Sequence, residues 1–278
     1  MITDVWHWLA DPWSGQIMQR ALLEVVLLGV AGGAVGCWIV LNELSYAAES
    51  LPHAMFPGLV VAALAGAPLL LGGSAGLAVA ALGIAIAART PLIGRDSAIA
   101  VVVTALFGLG VLLALSPATP QSVQSLLFGD ILGISSSDLG AAAALTGVAL
   151  VALRFLHTRL LVVSFDRSSS HSLGVSKERV DLALLALLAL SVLIAVQALG
   201  NLLVVALLIA PAAAARLMTH RMLPMMATAA TLAIVSGVAG LYVSYHLRTA
   251  AGASIALAMV AVYLLAAAAA RIAPGRAT

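Results

Sequence analysis

Nine apolar stretches follow one another along the chain, at residues 17–41, 46–66, 68–88, 97–115, 139–156, 182–199, 202–217, 225–245 and 252–270. Each is continuous and rich in Leu and Ala, without the strict alternation that a lipid-facing β-strand carries. A helix needs ~20 apolar residues to cross the ~30 Å hydrocarbon layer. Lipid also forbids backbone whose polar groups are not paired within the protein. The pattern predicts an all-α, polytopic transmembrane helical bundle of about eight to nine spans. The third and seventh stretches are short, and the lower count holds if one segment only dips in. Pro52, Pro57, Pro68 and Pro211 predict broken or kinked helices, which membranes tolerate where protein or a water-filled cavity satisfies the freed groups.

Composition agrees and closes off other classes. Hydrophobic residues make up 63% and charged residues 9% of the 278 positions, against about 45–50% and about 25% in soluble domains. The net charge of +2 is spread along the chain, so no basic face for nucleic acid emerges. Cys37 is the sole cysteine, which excludes an intrachain disulfide and a cysteine-based metal cage. Cytoplasmic loops carry an excess of Lys and Arg. With the N-terminus outside and the C-terminus cytoplasmic, only Arg20 and Arg248 of the 13 basic residues face outward. The expected layout is an interfacial N-terminal segment at 1–16, one transmembrane permease domain at 17–270 and a cytoplasmic tail at 271–278. The first segment carries Trp6, Trp8 and Trp13, whose indoles favour the headgroup level. It has no positive region before its apolar part and does not read as a cleavable signal peptide.

Three helix starts are expected from side chains able to accept an orphan backbone N–H: Asp96-Ser97, Ser137-Asp138 and Asp181. The outer stretch 116–138 holds an apolar centre, Leu126 to Gly133, that predicts a short helix tucked into the bundle. The most polar stretch, 157–181, lies inside. There Asp166 is placed to cap a short helix reaching about Leu173, with Gly174 as its stop. Such a loop fits a docking element for a soluble partner, and equally a solvated linker.

The chemistry is sparse. The single lysine, Lys177, is preceded by Leu173-Gly174-Val175-Ser176, so the chain has no G-x-x-x-x-G-K-[ST] phosphate loop. If ATP drives this protein, a separate subunit hydrolyses it. Nor is there a nucleophile–base constellation, and no enzyme activity is expected. Ionisable residues within spans are costly and are functional candidates by default. Glu49 and His53, four residues apart, share one helix face. Carboxylate oxygen with imidazole nitrogen suits Zn²⁺ or Mn²⁺. A water-satisfied pair at the cytoplasmic membrane edge fits the same spacing. Glu24 is expected to pair with Arg20, His157 to be solvated, and Gln197, Asn201 and Pro211 to line a path or to join helices.

The segment Val40-Leu-Asn-Glu-Leu-Ser-Tyr-Ala-Ala-Glu-Ser-Leu-Pro-His-Ala-Met-Phe-Pro-Gly58 resembles one of the zinc/manganese-type metal-ion ABC transporter permeases. So do Ser125-Leu-Leu-Phe-Gly-Asp-Ile-Leu-Gly133, Phe165-Asp166 with Leu173-Gly174-Val175, and Leu203-Val-Val-Ala-Leu-Leu-Ile-Ala-Pro-Ala-Ala-Ala-Ala-Arg216. The resemblance implies a permease subunit of a homodimeric or pseudo-dimeric channel in the cell membrane, with a second permease copy as its partner in the homodimer. Its implied partners are a cytoplasmic ABC ATPase subunit and an extracytoplasmic metal-binding protein. It makes Zn²⁺ or Mn²⁺ the transported substrate, with no permanently bound cofactor. It puts Glu49 and His53 on the metal's route and makes 165–175 the ATPase-docking segment. The chain departs from that family in having Glu49 for the usual Asp, Pro52 beside His53, Asn42-Glu43 for two arginines, and Arg167-Ser168 after Asp166. Two rivals remain: a siderophore or cobalamin ABC permease, and a stand-alone secondary carrier, which calls for more intramembrane acids than Glu24 and Glu49.

Overall fold

A computed structural model describes residues 11–87, 95–115, 129–165, 174–200 and 203–272. After a 3-10 turn at Asp11–Ser14, the described residues form α1 (Gln16–Leu41), α2 (Ser45–Ala65), α3 (Leu69–Ala87), α4 (Arg95–Ala114), α5 (Ser136–Phe165), α6 (Lys177–Leu199), α7 (Val204–Met218), α8 (Met222–Leu247) and α9 (Ala251–Ile272). No strand occurs among the described residues. Each helix overlaps one of the nine apolar stretches. By length and apolar character α1, α2, α5, α6, α8 and α9 can cross a membrane, whereas α3, α4 and α7 offer shorter apolar runs. With 15 residues, α7 rises only about 22 Å, less than the hydrocarbon thickness.

Several helix ends differ from expectation, for local reasons. The start of α5 is set by Ser135, three residues ahead of Asp138. The Asp138 N–H donates to Ser135 Oγ, and the Ser135 N–H donates to the Asp138 carboxylate. This reciprocal pair satisfies two orphan donors at once. The cap of α6 is Ser176, whose Oγ accepts from the Arg179 N–H, so Asp181 lies inside the helix. Asp96-Ser97 falls in the first turn of α4. At its other end α5 continues to Phe165, so residues 157–165 of the expected loop are helical. The apolar centre at 126–133 lies outside the described residues through Phe128, and 129–135 is not helical.

The prolines do not break their helices. Pro52 and Pro57 lie inside an unbroken α2, Pro211 lies inside an unbroken α7, and Pro68 sits just before α3. Each internal proline has no N–H to give to the carbonyl four residues earlier. For Pro57 that carbonyl belongs to His53. A Cβ at Gly110 of α4 would sit 2.9 Å from the Pro57 nitrogen, so α4 closes directly over this part of α2.

The helices pack in two groups. In the larger one α1 is the hub, with α8 and α7 against its glycine edge and α5 against another face. A Cβ on Gly33 would come within 2.8 Å of Ala229 and Ala230 backbone atoms, and one on Gly36 would strike the Leu208 carbonyl oxygen. In a membrane, where lipid removes the hydrophobic drive between helices, such close backbone approach is what holds them together. The smaller group is α2, α3 and α4. Its tightest seam sets Gly58 of α2 against Gly72 and Gly76 of α3. Contact between α1 and α2 is slight, and the smaller group meets the larger mainly at α6 and α7.

Glu24 faces inward from α1 and is 3% exposed. Its Oε2 has no hydrogen-bond partner, so the expected Arg20 pairing does not satisfy it. Removing a buried unsatisfied polar group relieves about 1–3 kcal/mol. Glu24→Leu should therefore raise the thermal unfolding midpoint of the purified chain in detergent. A lowered midpoint would show that the carboxyl is satisfied in the folded protein.

Candidate metal translocation site

Glu49 and His53 both lie in the first half of α2, about 6 and 12 Å along the helix from Ser45 at 1.5 Å per residue. The four-residue spacing brings their side chains to one face, one turn apart. Glu49 is exposed and His53 half-buried. The ring of His53 packs on Phe107 of α4, with centroids 4.7 Å apart and planes at 59°. Phe107 in turn touches Phe56, at 5.8 Å. The imidazole is thus gripped on its apolar side by an α2–α4 aromatic contact while its neighbouring carboxylate stays accessible. Met55 points the other way. It is fully buried and lies under Gly73 and Gly76 of α3.

Phe107 is the partner that the sequence did not disclose. It stands in an apolar helix whose residues are alike on every side, so no periodicity marks which of them packs inward.

Among the described residues no group of three or more His, Cys, Asp and Glu side chains is close enough to hold a metal ion. Pro211 is buried in α7, whose principal neighbours are α1, α8 and α9, not the α2–α4 group that carries Glu49 and His53. Asn201 and the side chain of Gln197 lie outside the described residues.

The expected docking segment is described at its two ends. Phe165 closes α5 and is exposed. Gly174 adopts φ 72°, the left-handed conformation of a helix stop, and Val175 packs on the core. Asp166 and Leu173 lie outside the described residues. His157, expected to be solvated, is instead half-buried in α5 and meets the edge of Trp38 at 5.4 Å.

Residues 14–270 match the ABC 3 transport family. The chain is 32% identical over 250 residues to the manganese transport system membrane protein MntC of Halalkalibacterium halodurans, covering 90% of this chain and 86% of that protein. It is 31% identical over 262 residues to a probable iron transport system membrane protein of Haemophilus influenzae, covering 94% and 97%. Among solved structures it is similar to PsaBC from Streptococcus pneumoniae in complex with Fab, at a TM-score of 0.87 and 27% identity over 96% of this chain and 95% of that one. An inward-facing transporter of the metal-chelate ABC type shares the fold, at a TM-score of 0.69 and 16% identity over 91% and 86%.

Proposed function

The chain belongs to the ABC 3 transport family, and from that premise we propose that it carries Mn²⁺, or a cation of like chemistry, into the cytoplasm past Glu49 and His53. It is a multi-pass membrane permease subunit and not an enzyme; ATP hydrolysis belongs to a separate ABC subunit. The observation that carries the metal reading is the carboxylate–imidazole pair one turn apart on α2, with His53 steadied against Phe107. Nitrogen and oxygen donors without thiolate suit Mn²⁺, Fe²⁺ and Zn²⁺ alike. Manganese is favoured because relatives named for manganese transport match nearly the whole chain.

In this reading the metal's hydration shell is exchanged for protein oxygen and nitrogen in steps. With α2 running outward from the cytoplasmic side, an inbound cation meets the nitrogen of His53 first and the exposed carboxylate of Glu49 one turn nearer the cytoplasm. A second copy of the chain, contributing its own pair, completes a two-nitrogen, two-oxygen set, which is the chemical argument for a homodimer. The Lys and Arg asymmetry supports an outside N-terminus and a cytoplasmic C-terminus over about eight to nine spans. In that frame residues 17–270 form the permease domain, 165–175 dock on the ATPase, and a metal-binding protein delivers from outside.

The test is transport in proteoliposomes holding this chain with its ATPase. ATP-dependent accumulation of free Mn²⁺ is expected, competed by Fe²⁺ or Zn²⁺. Uptake of a metal chelate but not of free ions would assign the chain to the metal-chelate type. Uptake driven by an ion gradient without the ATPase would assign it to secondary transport.

A further inference from the structure

We infer that Asn42 and Ser164 form a clasp that couples the ATPase-docking end of α5 to the metal-bearing helix α2. The inference rests on the function proposed above and adds to it the residue contact through which the motor would reach the site.

Asn42 opens the three-residue turn between α1 and α2. Its backbone N–H and its side-chain Nδ2 both donate to the Trp38 carbonyl, at 3.0 and 2.9 Å. The turn is further fixed by the Leu44 N–H on the Ile39 carbonyl at 2.9 Å, and Glu43 within it takes a left-handed φ of 58°. With Nδ2 engaged, the amide's orientation is set and Oδ1 is the atom left to reach another element. It accepts from Ser164 Oγ at 3.0 Å, across 122 positions of sequence. Ser164 is the penultimate residue of α5, directly before exposed Phe165. One side chain thus joins the end of the docking segment to the root of α2, seven residues before Glu49.

The packing gives this bond leverage. Slight contact between α1 and α2 leaves their three-residue turn as a short covalent joint between the two helix groups. A displacement of the α5 end pulls on Asn42, and through a rigid turn on α2 with its carboxylate and imidazole. The bond also distinguishes this chain from the family pattern it resembles, since an arginine at position 42 has no acceptor to offer a hydroxyl.

The experiment uses the full complex of chain and ATPase in proteoliposomes, comparing wild type with Ser164→Ala, Asn42→Ala, the double variant and Ser164→Thr. The readout is Mn²⁺ imported per ATP hydrolysed, a ratio that a loss of folded protein alone does not move. A neutral hydrogen bond of ordinary strength predicts an about fivefold fall in that ratio for Ser164→Ala, and at least as large a fall for Asn42→Ala, which also loses the bond to the Trp38 carbonyl. The double variant should be no worse than Asn42→Ala, which already removes the bond that Ser164→Ala removes. Threonine, which keeps the hydroxyl, should restore the ratio. An unchanged ratio in the alanine variants, or additive losses, overturns the clasp while wild-type transport upholds the function. Wild-type complex that moves no Mn²⁺ with ATP overturns the function, and the clasp falls with it.

Discussion

Glu49→Gln combined with His53→Ala should abolish ATP-driven Mn²⁺ uptake while the complex with the ATPase still assembles. Loss of a group that merely orients a metal ligand costs about 10–100-fold, so removing both proposed ligands should lower uptake by about 100-fold or more. The structure explains why the fold should survive. Glu49 is exposed, so exchanging its carboxylate for an amide strands no buried charge. His53 touches Phe107 through its ring, and an aromatic contact of that kind is worth about 0.5–1.5 kcal/mol. That loss is small beside the burial of α2. Glu49→Asp should keep substantial transport, because it shortens the carboxylate by one methylene without removing the donor. Radioactive Mn²⁺ uptake, read beside size-exclusion profiles of the complex, separates the outcomes. Uptake at the wild-type rate in the double variant sinks the assignment of these two residues.

The bundle was legible because lipid imposes one rule on every span: unbroken apolar length. The stretches 46–66 and 252–270 became Ser45–Ala65 and Ala251–Ile272 almost without adjustment. The clearest miss was α5. His157 and Arg159 read as the start of a polar loop, yet the helix runs on to Phe165. Long basic side chains carry their charge away from an apolar surface, so their presence ends the lipid-facing part of a helix without ending the helix. The proline breaks failed for a related reason. A missing N–H costs one hydrogen bond, and α2 remains one continuous element with α4 packed directly over Pro57.

For the candidate site, the Glu49–His53 pair could be read from spacing because both residues share a helix face. Phe107 could not, since a span that is apolar all round carries no signal of which side meets protein. Asn42 and Ser164 lie too far apart in sequence for any local pattern to join them. Asn42 stood out only as a departure from arginine, and its partner had to come from the fold.

Replacing Gly36 with valine should destroy the folded chain, and Gly33→Leu should do the same. A Cβ at position 36 would collide with the Leu208 carbonyl oxygen of α7, and one at position 33 would stand 2.5–2.8 Å from backbone atoms of α8. Neither obstacle is a side-chain tip that can swing aside, so α7 or α8 must move off α1. Overpacking costs about 1–3 kcal/mol, and more where backbone is forced apart. Here the displaced helix also gives up the close contacts that hold a membrane bundle together. Gly147 of α5 provides the control, because a Cβ there meets nothing within 4 Å. Gly147→Ala should leave the protein intact and strengthen its helix by up to about 1 kcal/mol. Fluorescence-detected size exclusion after membrane extraction reads all three: a sharp peak for Gly147→Ala, and aggregate or no recoverable protein for the other two. A monodisperse Gly36→Val chain that unfolds at the wild-type temperature would mean that α1 and α7 are not in backbone contact. The position of α1 as the hub of the larger group would then have to be abandoned.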